Sequence, residues 1–388
     1  MKALKQLLLN EFEGNRGKAT EMAKVAGYAK SGKLFEMLRK PDGEIEKFDG
    51  FVRMLEVMYP EDYLRHLSES AQDINPDRAT SRYLMEFLSL NRQFKGMDTL
   101  IDRMETSKNK EWAKAYKILK NHQENYPNVD YRKMLVEVRD VSSSNSQLVM
   151  FTNILKTYCY HQLGRFNRVI DLAEEIDYDF KNLKDNYLIK MYKIRHSETM
   201  SYLTLRVVNN QEKAREYADN VINAQTYIGK SFEAYGYFIK GYSYIFNSYE
   251  NTKKHLQKSL NLYSELGRDV VVNDLEEKLE LNDVLWDKCD YECKYINNTI
   301  LKNAKQGIDV TSVLEENKDK MDKSFYLYVK GKFEKNSNIL LKSVIEYMHK
   351  GDAFLANLPR IECIKNGFDE EVLNELISLR VSWKEVKL

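Results

Sequence analysis

The sequence predicts an all-α protein: an N-terminal helix-turn-helix, then a right-handed superhelix of tetratricopeptide-like repeats, then a C-terminal capping and dimerisation helix. Three observations lead there. Only 5 prolines and 16 glycines interrupt 388 residues, so few positions force a helix to stop. Apolar residues recur at helical spacing through most of the chain. Paired-helix units with a glycine at the turn or the crossing recur from about residue 155 onward, and a chain this long grows more readily as an array than as one core. The expected division is a DNA-binding unit over 1–60, repeats over 61–365 and the capping helix over 366–388.

Residues 15–40 carry Arg16, Lys18, Lys24, Lys30, Lys33, Arg39 and Lys40 against Glu21 and Glu36, within a chain whose net charge is only +1. Any affinity for nucleic acid must therefore come from this local cluster. Met22, Val25 and Ala26 form the expected inner stripe of one helix, and Leu34, Phe35 and Leu38 that of the next. Ala23 permits a close crossing, and Gly27 supplies the left-handed residue between the helices. Lys30, Ser31 and Lys33 open the second helix, with Lys24 before it and Arg39 at its end, where cations and backbone N–H groups can meet phosphates and base edges. Phe48, Phe51, Val52 and Leu55 predict a supporting helix that ends at Tyr59-Pro60. An ordinary helical hairpin with a solvated basic face has the same local pattern.

The segment LKTYCYHQLGRFNRVIDLAEEI, residues 155–176, fits a tetratricopeptide unit, with Leu163, Gly164 and Phe166 at the turn and Val169, Ala173 and Ile176 along the second helix. A second unit, 237–260, has Gly241 at the small position of its first helix, followed by Tyr244, Thr252, Leu256 and Ser259. Ala214 and Ala218 mark another second helix, and a degenerate unit runs from Gly331 to Gly351. Such units bury one face against each neighbour and leave a groove suited to an extended peptide or a partner helix.

Chemistry is sparse. Cys289 and Cys293 have metal-like spacing without a third ligand nearby, and Cys159 and Cys363 stand apart in apolar surroundings. GxGxxG, GxxxxGK[ST] and HExxH are absent. The expectation is a non-enzyme with no cofactor and no metal, reduced and cytoplasmic, with no membrane partner. The 26 tyrosines read as packing at helix crossings. In the helix expected over 369–381, Val372, Leu373, Leu376, Ile377 and Leu379 form an apolar stripe with no later repeat to cover it, which predicts a homodimer built there.

A helix-turn-helix followed by such repeats resembles the peptide-sensing regulators of Gram-positive bacteria and their phages, among them Rap, NprR, PlcR and PrgX. The stretches MAKVAGYAKSGKLFEMLRKPDGEIEKF, TLIDRM at 99–104, KAYKI at 114–118 and YVKGKFEKNSNILLKSVIEYMHKGDAFLANLPRIE at 328–362 resemble the AimR arbitrium receptors of temperate Bacillus phages. That resemblance implies a dimeric transcription factor on operator DNA, activating a short regulatory transcript until a secreted hexapeptide shuts it off. It implies that Asp352 in GDAFLANLP pairs with an arginine of the peptide, with Phe354 as the nearby aromatic. Tyr202 and Arg206 stand where relatives place backbone-clamping asparagines, and Lys230 or Arg206 would hold the peptide carboxylate. Two rivals share the architecture: a Rap-like protein that binds a response regulator, and a plain repeat scaffold.

Overall fold

The computed structural model describes residues 1–224 and 229–378, the side chains of 376–378 apart. All regular structure among the described residues is helical: 22 α-helices and one short 3-10 helix. The chain forms two compact units, one of residues 1–196 with 223–229, the other of 197–222 with 230–388. Neither division falls at residue 60 or 365.

The first unit begins with four helices, α1 (Lys2–Gly14), α2 (Arg16–Val25), α3 (Ser31–Leu38) and α4 (Phe48–Met58). The sequence reading had no counterpart for α1. Its Leu4, Leu8 and Phe12 are buried, so the helix-turn-helix is held on a third helix as well as on α4. The N-terminal ammonium donates to the Ser70 carbonyl at 2.9 Å, and Glu44 accepts from the backbone N–H groups of Ala79 and Thr80 at 2.9 Å each. Residues 1–60 are thereby tied to the helices that follow, which is why no compact-unit boundary occurs there.

Deeper in this unit, Arg195 and Glu86 form an ion pair removed from water, Nε to Oε1 at 2.7 Å. The Ser89 and Tyr116 hydroxyls complete it at 2.8 and 2.7 Å, so neither charge is stranded. Helices Ser146–Gln162 and Phe166–Asn182 make the predicted repeat unit. Gly164 turns the chain at φ +67°, and Val169, Ala173 and Ile176 are buried.

The second unit stacks further pairs, and its glycines and small hydroxyls show why the helices approach closely. A Cβ at Gly241 would lie 2.8 Å from the Leu256 nitrogen, and one at Gly331 would lie 2.9 Å from that of Leu340. Ser259 Oγ donates to the Ala234 carbonyl at 2.7 Å, and Ser343 Oγ to that of Ser324 at 2.6 Å. The same device, a helix-B serine donating to a helix-A carbonyl, recurs in two units.

The last described helix, Glu370–Ser378, corrects the dimerisation stripe in part. Leu373 is fully buried in a core cluster of its own chain with Val284, Ile300, Leu314 and Cys363, whereas Val372 is exposed. The stripe is covered by preceding repeats at Leu373, so that residue has no face left for a second copy. The side chains of Leu376 and Ile377, and all of Leu379, lie outside the described residues.

Candidate functional site

The N-terminal candidates stand on α2 and α3. The end of α2 is closed by Gly27 at φ +77°, with the Gly27 N–H donating to the Lys24 carbonyl at 2.9 Å and the Tyr28 N–H to that of Ala23 at 2.7 Å. This paired closure needs a left-handed residue at Gly27, and it aims α3 away from α2. Lys24, Lys30, Lys33 and Arg39 are exposed and Ser31 is half-buried, so all five expected contacts are accessible. Lys33 pairs with Glu36 at 2.9 Å and Arg39 with Glu13 at 3.3 Å. Both are surface pairs that water and salt screen, so exchanging either for a phosphate costs little. The inner stripes differ from expectation on both helices. Met37 is buried, while Phe35 is half-exposed with the Arg39 guanidinium 5.5 Å from its ring centre. Val25 is half-buried, and Ala19 and Ala23 complete the inner face of α2.

In the second unit, the helix Ser337–His349 ends in the paired closure that Gly351 permits: Gly351 N–H donates to Met348 and Asp352 N–H to Tyr347, both at 3.0 Å, with Gly351 at φ +73°. Asp352 then starts a tight turn, its Oδ1 accepting the Leu355 N–H at 3.0 Å. The Phe354 N–H donates to the Arg206 carbonyl at 3.2 Å, and Asn357 Nδ2 to Asn209 Oδ1 at 3.2 Å. This turn is therefore docked on the end of the helix Tyr187–Arg206.

Asp352 is buried, and its carboxylate already has a partner, the guanidinium of Arg206. Burial pushes the Asp352 carboxyl above its ordinary value, and Arg206 partly offsets this. Burial alone would lower the Arg206 pKa, but the Asp352 charge carries it above the usual arginine value, so Arg206 is a cation at neutral pH. Tyr202 lies beside it, its ring centre 5.6 Å from Arg206 Cζ. Asp352, Arg206 and Tyr202 thus come together.

Two expected contacts do not join them as written. Phe354 is fully buried, packed on Tyr242 and Phe246 with ring centres 5.5 and 5.0 Å away, so it anchors the turn in the core and offers no face to a ligand. Lys230 is exposed and pairs with Glu265 at 2.7 Å. It opens the helix Lys230–Tyr242 whose far end holds Tyr242, about 18 Å away along the axis. Of the two residues proposed for the peptide carboxylate, only Arg206 is at this place.

Residues 65–365 match the sequence model of a family described as AimR transcriptional regulator-like. The chain belongs to that family. Curated relatives include the AimR transcriptional regulator of Bacillus phage phi3T, 23% identical over 390 residues, spanning 96% of this chain and 100% of the relative. The AimR transcriptional regulator of Bacillus phage SPbeta is 23% identical over 395 residues, spanning 97% and 100%. A solved structure of SeMet-phAimR superposes with a TM-score of 0.73 at 23% identity, covering 97% of this chain and 100% of that one. One of phAimR-Ligand gives 0.63 at 20% identity over 84% and 98%. At these identities the structures establish a common AimR fold.

Three residues of this AimR-family chain that matter to its N-terminal unit were missed from sequence. A Cβ at Gly50 on α4 would lie 2.2 Å from the Ala26 carbonyl oxygen, so Gly50 sets the closest approach of α4 to the end of α2. The Lys47 ammonium donates to the Gly27 carbonyl and lies 5.4 Å from the centre of the Tyr28 ring. Lys5 is buried and donates to the Lys40 and Gly43 carbonyls at 2.9 and 2.8 Å, with burial bringing its pKa down to about 8. A lysine inside the apolar stripe of α1 was the available signal for Lys5. Cys289 and Cys293 do meet, Sγ to Sγ at 3.5 Å, but no group of three metal-ligating side chains occurs among the described residues. No described helix is long and apolar enough to cross a membrane.

Proposed function

We propose that this chain is a phage transcriptional regulator of the lysis-lysogeny decision. As a dimer it binds operator DNA through residues 1–60 and activates a short regulatory transcript, and a secreted arbitrium hexapeptide bound in the groove of repeats 61–365 inhibits it. It acts in the host cytoplasm and catalyses no reaction. Family membership supports transcriptional regulation. The observation that carries the DNA reading is the exposed start of α3, where Lys30, Ser31 and Lys33 stand clear of a turn fixed by Gly27 and clamped by Lys47. Cations and free N–H groups at a helix start are the groups that meet phosphates and the floor of a major groove.

The test is a mobility-shift titration on the phage's own intergenic DNA. Lys30→Glu with Lys33→Glu should abolish the shift while leaving helicity by circular dichroism unchanged, because both side chains are solvent-exposed. Wild-type affinity should fall steeply with salt as phosphate contacts release counterions. Undiminished binding by the double variant would remove the assignment and favour an N-terminal unit that docks on protein.

A further inference from the structure

Two of the chain's four cysteines stand side by side where solvent reaches them. Cys159 and Cys363 are fully buried, whereas Cys289 and Cys293 are half-buried with their Sγ atoms 3.5 Å apart. Both lie in the loop 286–295, between the helices Asp269–Leu285 and Ile296–Lys305. The DNA and peptide readings leave this pair unused. Disulfide sulfurs are about 2.0 Å apart, so an approach of only about 1.5 Å separates these thiols from a covalent bond.

The loop around them is pinned, which leaves that approach to the two side chains. Trp286 Nε1 donates to the Ile245 carbonyl at 3.0 Å, and the Tyr291 hydroxyl to Asp283 Oδ2 at 2.7 Å. The N–H groups of Lys294 and Tyr295 donate to the Glu280 carboxylate at 2.6 and 3.2 Å, and Lys302 Nζ donates to the Tyr291 carbonyl at 2.6 Å. Access comes from a cleft of about 70 Å³ beside Cys289, several times the space that one water needs. Lys302 and Lys305 line this cleft with Asp287, a net positive wall that favours a thiolate over a thiol. Burial, then the hydrogen bond with Cys289, push the Cys293 thiol up to about 12, so Cys293 is protonated at neutral pH. The attacking sulfur is therefore that of Cys289, on the cleft, and Cys293 is the neighbour that resolves.

We propose that Cys289 and Cys293 are a redox modification site, in which a hydroperoxide oxidises Cys289, Cys293 closes a disulfide, and thiol reductants reopen it. The Cys289 thiolate attacks one peroxide oxygen, the O–O bond breaks, and Cys289 becomes a sulfenic acid as hydroxide leaves and takes up the proton that the thiol had lost. The Cys293 sulfur then attacks the sulfur of Cys289, the S–O bond breaks, and the departing hydroxide carries off the Cys293 proton as water. With hydrogen peroxide, two thiols give one disulfide and two waters, two electrons passing from sulfur to oxygen. In a reducing cytoplasm the pair rests as thiols and closes only while peroxide is present. The bond replaces a weak thiol contact by a covalent tie across the loop.

The test treats reduced, desalted full-length protein with hydrogen peroxide, then alkylates the remaining thiols in denaturant and locates them by mass spectrometry. Wild type should fall from four free thiols to two, with Cys159 and Cys363 still alkylated and the tryptic fragment 289–294 lighter by two hydrogens. Dithiothreitol should restore all four. Cys293→Ser, which lacks the resolving thiol, should accumulate a dimedone adduct of the sulfenic acid on Cys289, and Cys289→Ser should give no adduct on Cys293 at the same dose. Melting checks that both variants fold, and the wild-type count does not depend on them. Four thiols persisting in wild type at a dose that oxidises free cysteine overturns the proposal. Equal loss of all four thiols, or a disulfide found only between copies of the chain, overturns it as well. An adduct on Cys293 in place of Cys289 overturns the assignment of the attacking sulfur.

Discussion

His122 lies among the rings of Tyr158, Tyr131 and Tyr126, its Nε2 3.4 Å from the Tyr131 hydroxyl and its Nδ1 buried without a hydrogen bond. Burial first, then the charges of Arg92 and Arg195, lower its pKa from 6.5 to about 4. The folded state therefore holds this imidazole neutral at pH values where the unfolded chain protonates it. Between about pH 6.5 and 4 the unfolded chain binds more protons, so stability is fully present above 6.5 and is lost as pH falls through this window. His122→Phe removes the titration and keeps the aromatic packing. Urea midpoints measured from pH 7 to 4 should fall less steeply for the variant than for wild type. Parallel slopes would mean that His122 is charged in the fold and that the acid sensitivity arises at other groups. No sequence pattern marks this residue, since its shift depends on burial and on two arginines distant in sequence, Arg92 in the turn after the helix Ala79–Leu90 and Arg195 on the helix Tyr187–Arg206.

At the scale of elements, close helix crossings decide the N-terminal unit, and Gly50 is the sharpest case. A methyl group there meets the Ala26 backbone, which cannot rotate aside as a flexible side chain would, so α4 must withdraw from α2. Gly50→Ala should cost about 1–3 kcal/mol in urea unfolding, the usual range for overpacking, and weaken operator binding by shifting α3. Gly32→Ala is the control: a Cβ there has open space, and α3 should tolerate it. Equal stability of the two variants would place the critical crossing elsewhere. The contrast between these glycines also explains which parts of the fold were readable. Gly27 and Gly164 were legible because a left-handed turn is a local need, and Gly241 and Gly331 because the repeat spacing marks them. Gly50 was not, because its reason is a backbone 24 residues earlier in the chain, brought near by packing. The candidate site divides in the same way. Gly351 and the turn after it are local, whereas Arg206 reaches Asp352 across 146 residues, a pairing that no spacing within an irregular repeat discloses. Phe354 looked like a ligand contact because an aromatic beside an acid fits a guanidinium, and it is core because the turn directs it inward onto Tyr242 and Phe246.

For the whole molecule, the question is what closes the array and whether the same surface joins two copies. An amphipathic helix after the last repeat can cover the final core or present its stripe to a partner, and apolar spacing fits both. Leu373 favours the first at its position, since it is sealed among Val284, Ile300, Leu314 and Cys363 of its own chain, while its neighbour Val372 faces solvent. A carboxylate at Leu373 would be buried with no cation among these apolar neighbours, and the leucine packing would be lost as well. Leu373→Asp should therefore destabilise the second unit by about 3–5 kcal/mol, at the upper end for single substitutions and comparable to deleting a buried leucine. Val372→Asp should melt as wild type does. Light scattering on the fraction that remains folded should give Leu373→Asp the wild-type mass, because Leu373 presents no exposed apolar surface to a partner. If Leu373→Asp instead melts like wild type and runs as a monomer, the helix opens toward a partner in solution, and the capping role assigned to Leu373 gives way to the dimer interface.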